Sequence, residues 1–208
     1  MQTKIAKKII FAFSIFIAIF TTNSFSQESS TTRKVIKIES CTVSIIPNKD
    51  GQFILPTSKN DFKFAGYEQN LENSNDSRKF GFSMECQRGF DSRNDIANDN
   101  GGSYDDKSGH WSAFYVSDQD KEMLAPATKI IAFDSPTGTG FVRLTDDVIG
   151  DEKSRDRKIS YCVFDKRAHQ DQAICGDGIV MKLSKPQENF LPDAIKVLRS
   201  LQFISNTN

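Results

Sequence analysis

Apolar and polar positions alternate most cleanly over residues 79–87, where Phe80, Phe82, Met84 and Cys86 hold one parity and Lys79, Gly81, Ser83, Glu85 and Gln87 the other. A strand turns successive side chains to opposite faces, so this segment predicts a strand with one buried and one wet face. Residues 35–46 are also β-branched, but the parity switches: Ile36 and Ile38 share one phase, Cys41, Val43 and Ile45 the other. The switch near Glu39-Ser40 predicts a bulge or a crossing between packing surfaces. Residues 48–51 read as a turn. Further short strands are expected over 111–116, 129–133 and 141–145, with Pro136 to Gly140 as a hairpin connection between the last two. Residues 159–165 and 172–175 predict another hairpin, its tip near Ala168-His169.

Two segments carry helical signals. Ser117 to Asp120 resembles a capping box ahead of residues 121–124, and Pro126 ends that helix early. Leu191, Ala194, Ile195, Leu198 and Leu201 recur at helical spacing, with Pro192 near the first helical position and Asp193 at the positive end of the dipole. Phe203-Ile204 is a candidate last strand. Strands without regular helix alternation, closed by one amphipathic helix, predict an α+β fold: an antiparallel meander with a short middle helix and the C-terminal helix packed on the sheet. An exported α+β domain closed in this way by a helix and a short strand resembles PsbP/DcrB-like envelope proteins over the C-terminal segment, a likeness that contains no chemical motif.

The start of the chain has a different character. Lys4, Lys7 and Lys8 precede an uncharged apolar run over 9–22, and Ser24-Phe25-Ser26 gives a small-x-small exit before Gln27. This is the pattern of a cleaved secretory leader over 1–26, with 27–208 as one exported domain. The run is shorter than the roughly 20 apolar residues a membrane span needs. No stable membrane insertion is expected after cleavage, and the expected location is periplasmic or secreted. With the three leader lysines set aside from 27 basic residues, a slight acidic excess remains against the 27 acidic ones. A nucleic-acid partner, which needs a clustered basic face, is not expected. Of seventeen phenylalanines, five belong to the leader and its exit, and most of the others fall in strand-like runs. They read as core rather than as a stacking platform.

Export gives the cysteines their meaning. Cys41, Cys86, Cys162 and Cys175 are even in number, lack C-x-x-C and match no zinc module, so two structural disulfides are expected. Four cysteines allow three pairings. In the hairpin register proposed above Cys162 faces Cys175 directly, which brings their Cβ atoms into disulfide range and leaves Cys41 for Cys86.

Candidate chemistry is sparse. His110 lies near Asp105 and Asp106, with Ser103, Ser108 and Ser112 at hand, but no G-x-S-x-G elbow accompanies them. His169 falls at the expected hairpin tip. Residues 90–109 crowd Asp91, Asn94, Asp95, Asn98, Asp99, Asn100, Asp105 and Asp106 around Gly101 and Gly102. Setting Gly101 at the sixth position of an EF-hand loop puts Ile96 first and Lys107 last, where carboxylates belong, so no metal or cofactor site is expected. The glycines of Pro136 to Gly140 lack the lysine and following helix of a phosphate cradle.

A long loop is expected over 90–109, and long loops in compact domains are often functional. Its aromatics among adaptable polar groups suit a protein-binding surface, formed by Phe90, Asp91, Asp95, Asp99, Tyr104, Asp105, His110 and Trp111. The mixed-sign run over 146–158 is a second candidate loop and reads as a soluble hairpin tip. The sequence thus points to a non-enzymatic exported domain that binds another envelope or secreted protein, of which an immunity or inhibitor protein would be one form. An envelope accessory or small-ligand protein with a pocket between sheet and terminal helix is the alternative, and a hydrolase built around His110 a third.

Overall fold

The computed structural model describes residues 32–55, 64–70, 79–167 and 171–205; the leader and the 168–170 hairpin tip lie outside the described residues. In chain order the elements are β1 (Lys34–Ile38), β2 (Cys41–Ile45), β3 (Gly51–Ile54), β4 (Phe64–Asn70), β5 (Lys79–Arg88), α1 (Arg93–Asp99), β6 (Gly102–Asp105) and β7 (His110–Ala113). There follow α2 (Asp118–Leu124), β8 (Thr128–Asp134), β9 (Gly138–Asp146), β10 (Asp156–Asp165), β11 (Gln172–Lys182), α3 (Leu191–Arg199) and β12 (Gln202–Phe203). The architecture is α+β, and mostly antiparallel sheet, as the sequence predicts.

The parity switch has a simpler cause than a bulge or crossing. β1 and β2 form an antiparallel hairpin in which Ile38 pairs with Cys41 and Ile36 with Val43. Glu39 and Ser40 make the turn, and Glu39 takes a positive φ of 49°. Residues directly opposed in such a ladder point to one face. Both phases of the pattern therefore meet on one side, where Ile36, Ile38, Cys41, Val43 and Ile45 are buried. β12 pairs with the other edge of β2 to complete a small sheet of order β1-β2-β12.

The main sheet has the order β3-β4-β5-β11-β10-β9-β8, antiparallel throughout. Two meanders, β3-β4-β5 and β8-β9-β10-β11, join edge to edge at β5 and β11. The first face carries the larger core. Ala65 and Tyr67 from β4, Phe80, Phe82 and Met84 from β5, and Val142, Tyr161 and Ile174 from β9 to β11 pack there with the small sheet and α3. α3 contributes Ala194, Val197 and Leu198, all fully buried. Asp193 in its first turn and Lys196 and Arg199 in its last complement the helix dipole. Phe190, just ahead of it, stacks between Tyr67 and Phe80 at 6.2 Å from each.

Both expected disulfides are present. Cys41–Cys86 ties the small sheet to β5, and Cys162–Cys175 joins β10 to β11 at directly opposed positions. The first lies on the face that holds the main core. The second faces the other way.

The opposite face of the sheet holds a second cluster of Ala97, Phe141, Cys162, Phe164, Ala173 and Cys175. The chain between β5 and β8 covers it. There the expectation of a loop over 90–109 is corrected: the stretch contains α1 and most of a two-stranded β6–β7 hairpin. α1 begins with a capping box, in which the Ser92 hydroxyl accepts from Asn94 N–H and the Asp95 carboxylate accepts from Ser92 N–H at 3.0 Å. α2 is capped by Ser117, whose hydroxyl accepts from Asp120 N–H, and Pro126 lies in the 3-10 turn Ala125–Ala127 that ends it. Among the described residues no helix is long and apolar enough to cross a membrane.

Candidate functional site

The candidate surface is built outward from the second face of the sheet. Phe141 on β9, Cys162 on β10 and Cys175 on β11 stand in one cross-strand row, with Phe164 and Ala173 in the next row on that side. Trp111 of β7 lies on this floor, 4.7 Å from the Phe141 ring and 5.6 Å from Phe164, nearly parallel to the latter at 18°. Tyr104 of β6 sits opposite Trp111 in the hairpin register, with ring centroids 4.8 Å apart. Phe90 meets Phe164 edge-on at 5.9 Å. The Arg93 guanidinium closes the stack, 4.7 Å from the Tyr104 centroid.

Small residues permit this approach. A Cβ on Gly102 would overlap the Phe141 ring, so the hairpin can lie directly on the sheet only with glycine there. Gly101 has φ of +75°, a left-handed backbone that glycine adopts without penalty, and a Cβ there would collide with Arg143. Asn94 then locks helix to hairpin. Its amide accepts from Tyr104 N–H at 2.7 Å and donates to Tyr104 C=O at 2.9 Å, as a neighbouring strand would. Ser160 of β10 donates its hydroxyl to Asn100 C=O at 2.8 Å, fixing the C-terminal end of α1 to the sheet.

The eight residues singled out in the sequence divide by depth. Phe90, Tyr104 and Trp111 are half-buried and form the foundation, while Asp91, Asp95, Asp99, Asp105 and His110 are exposed above it. Asp91 and Asp99 stand at the two ends of α1, and Asp95 is engaged in its cap. At the hairpin tip the Asp105 carboxylate accepts from the Ser108 hydroxyl at 2.8 Å and from Lys107 N–H at 2.9 Å. These bonds, the Ser108 hydroxyl first, hold its carboxyl below the usual carboxylate range, with the nearby His110 adding to the effect.

His110 is opposite Asp105 in the register. In a Ser-His-Asp arrangement the carboxylate orients the histidine ring, and here the Asp105 oxygens accept from the Ser108 hydroxyl and the Lys107 backbone. Ser103 and Ser112 face each other in the same ladder. Among the described residues no group of three or more His, Cys, Asp or Glu side chains gathers where it could hold a metal ion.

The alternative pocket, between sheet and terminal helix, is filled by Tyr67, Phe190, Ala194, Val197, Leu198 and Leu201, each nearly or wholly buried. An open cleft of about 480 Å3 runs instead along the β6–β7 hairpin toward α2, lined by Ser103, Ser112, Tyr115, Ser117 and Lys121. Arg143 lies beneath this region with its guanidinium 5.3 Å from the Tyr115 ring. Sequence reasoning missed α1, the Asn94 bridge and the Arg143–Tyr115 contact. The Ser92-x-x-Asp95 pattern was a usable signal for the first.

No protein-family model matches the chain, and no curated protein matches it. A crystal structure from Bacteroides thetaiotaomicron VPI-5482, solved at 1.50 Å, is similar at 10% identity over 80% of this chain, with a TM-score of 0.41. The match spans 46% of that structure's chain, less than half its length. Similarity at that level carries no conclusion about this protein.

Proposed function

We propose that the protein is an exported, non-enzymatic binding domain whose α1 and β6–β7 layer engages another envelope or secreted protein. The observation that carries this reading is the division of that layer into a fixed aromatic floor and an exposed polar roof: Trp111 and Tyr104 are packed below, and Asp91, Asp99, Asp105 and His110 are presented above. Preorganised side chains lose little freedom on binding, which favours a specific contact over a mobile loop. The exposed carboxylates suit a partner with a basic surface. Two disulfides fit folding in an oxidising compartment. The leader-like residues 1–26 support export, and a periplasmic or secreted protein that neutralises a toxin or hydrolase is the form we favour.

Charge reversal on the roof tests the reading without disturbing the floor. With a partner recovered from envelope extracts, Asp91→Lys with Asp99→Lys should slow association and weaken binding at low salt, and the difference should shrink as salt rises. Unchanged association at every ionic strength would place the interface elsewhere.

A further inference from the structure

The two sulfurs of the Cys41–Cys86 bond lie in different surroundings. Cys41 opens β2 and is wholly buried, and its Sγ is 4.0 Å from the Ala173 C=O of β11, a contact closed to solvent. Cys86 is only partly buried, and its Sγ meets the exposed Ser40 hydroxyl at 3.5 Å. A reagent in solution therefore reaches this bond from the Cys86 side. Thiol–disulfide exchange requires a thiolate to approach the sulfur it attacks, so access decides which sulfur takes the adduct. Cys162–Cys175 has no such open side, its cysteines being exposed to only 0% and 2%.

The corner that holds the bond does not depend on it alone. The Arg88 guanidinium donates to Ser40 C=O at 3.3 Å, which clasps the Glu39-Ser40 turn to the end of β5. Ile36, Ile38, Val43 and Ile45 anchor both strands of the small hairpin in the main core. Cys41 is thus kept beside Cys86 when the covalent link is open, and a thiol held in place reacts as if at high local concentration. Glu39 and Arg88 bring one charge of each sign to the turn, so charge does not select the reagent, and a half-covered sulfur favours a small one.

We propose that Cys86 is a reversible thiolation site for low-molecular-weight thiols, with Cys41 as the resolving thiol. The incoming thiolate bonds to Cys86 Sγ, the Cys41–Cys86 bond breaks, and its electron pair goes to Cys41 Sγ, which takes up a proton. The products are a mixed disulfide on Cys86 and a buried Cys41 thiol beside Ala173 C=O. In the return step the Cys41 thiolate attacks Cys86 Sγ and expels the small thiol, so the cycle needs no oxidant. The site stands apart from the α1 and β6–β7 layer and does not rest on the binding function proposed for it.

The probe is free cysteine, added to the oxidised full chain and quenched with acid, after which the products are mapped by peptic digestion and mass spectrometry. The expected product carries cysteine on Cys86, with Cys41 as a free thiol and Cys162–Cys175 intact. On dilution into buffer free of thiol and oxygen, the adduct should be lost and the bond restored at a rate independent of protein concentration. Single variants give a second reading. With cystine as the probe, Cys41→Ser should be cysteinylated at least about tenfold faster than Cys86→Ser, because only the first leaves its thiol on the open side. The proposal is overturned by adducts on Cys41, by no adduct on Cys86, or by an adduct that persists after dilution. Rates for the two variants within about twofold of each other would also overturn it. If either variant fails to fold, the wild-type map and the closure on dilution decide.

Discussion

Trp111 is the chain's sole tryptophan and touches three other rings, so its truncation measures what the second layer contributes to stability. Removing a large aromatic side chain from a core costs about 3–5 kcal/mol, through lost transfer energy and the cavity left behind. Trp111 is half-buried, with its inner face on Phe141 and Phe164, which places Trp111→Ala below that range, at about 2–3 kcal/mol. In a chain of this size each kcal/mol moves the midpoint by about 2–4 °C, giving a fall of roughly 5–10 °C. Urea unfolding followed by far-ultraviolet circular dichroism reads this without needing the indole, and an unchanged m-value would show that the unfolding unit is the same. Trp111→Phe, which keeps a ring on the floor, should recover most of the loss. A loss below about 0.5 kcal/mol for Trp111→Ala would refute the packing account, because that is the range of ordinary surface substitutions. The sequence reads Phe90, Tyr104 and Trp111 as part of a binding surface, whereas their ring contacts place them in the floor beneath it.

Other consequences are equally measurable. Replacing Cys41 and Cys86 together by alanine should cost about 4 kcal/mol and replacing Cys162 and Cys175 about 3 kcal/mol, from the loops of 45 and 13 residues they close; urea midpoints of the two double variants check the order. Under mild reductant Cys41–Cys86 should open first, since Cys86 is partly exposed while Cys162 and Cys175 are at 0% and 2%, and timed alkylation with mass spectrometry would show the reverse if burial does not govern access. Gly102→Val should lose about 1–3 kcal/mol by overpacking and shift the Trp111 emission, because its side chain must displace the Phe141 ring; an unaltered spectrum would mean that the hairpin does not rest there. Asp165 is buried, which works against its ionised form, but the Arg167 guanidinium at 2.6 Å and the Gln172 amide at 2.8 Å outweigh burial and hold its carboxyl below the usual range. Its contribution is thus present above an unfolded carboxylate pKa of about 3.9 and is lost as pH falls through the folded value, so Asp165→Asn should flatten the acid limb of a Tm-against-pH profile. Parallel profiles would remove Asp165 from the account.

What was legible in the sequence followed from strict periodicity and covalent constraint. Residues 79–87 and α3 announced their faces because only one side of each is buried, and the Cys162–Cys175 register followed from hairpin geometry. The β1–β2 turn was hidden because Glu39 supplies a positive φ where glycine or asparagine would have been the signal. α1 was hidden because Arg-Asn-Asp-Ile-Ala-Asn-Asp has weak helix propensity and buries only Ala97 fully, so packing on the sheet rather than local preference stabilises it. The second layer was hidden because Tyr161 to Phe164 runs apolar on both parities, the mark of a strand covered on two sides, and the hairpin pairing of this strand does not say what covers its second face. Once that second face is known to need a cover, the aromatics of 90–111 have an inward role, and the candidate surface moves to the carboxylates above them.

The most direct measurement of the central claim is partner retention by the full chain. The protein is recovered from envelope and culture-medium fractions, its N-terminus is sequenced, and it is immobilised against secreted and periplasmic extracts alongside a variant carrying Asp91→Lys and Asp99→Lys. The account predicts an N-terminus near Gln27 and one dominant protein retained by wild type and lost from the variant, with titration of that purified protein giving a saturable, stoichiometric complex. An uncleaved chain that stays in the cytoplasm, or a partner held equally well by both forms, would contradict it.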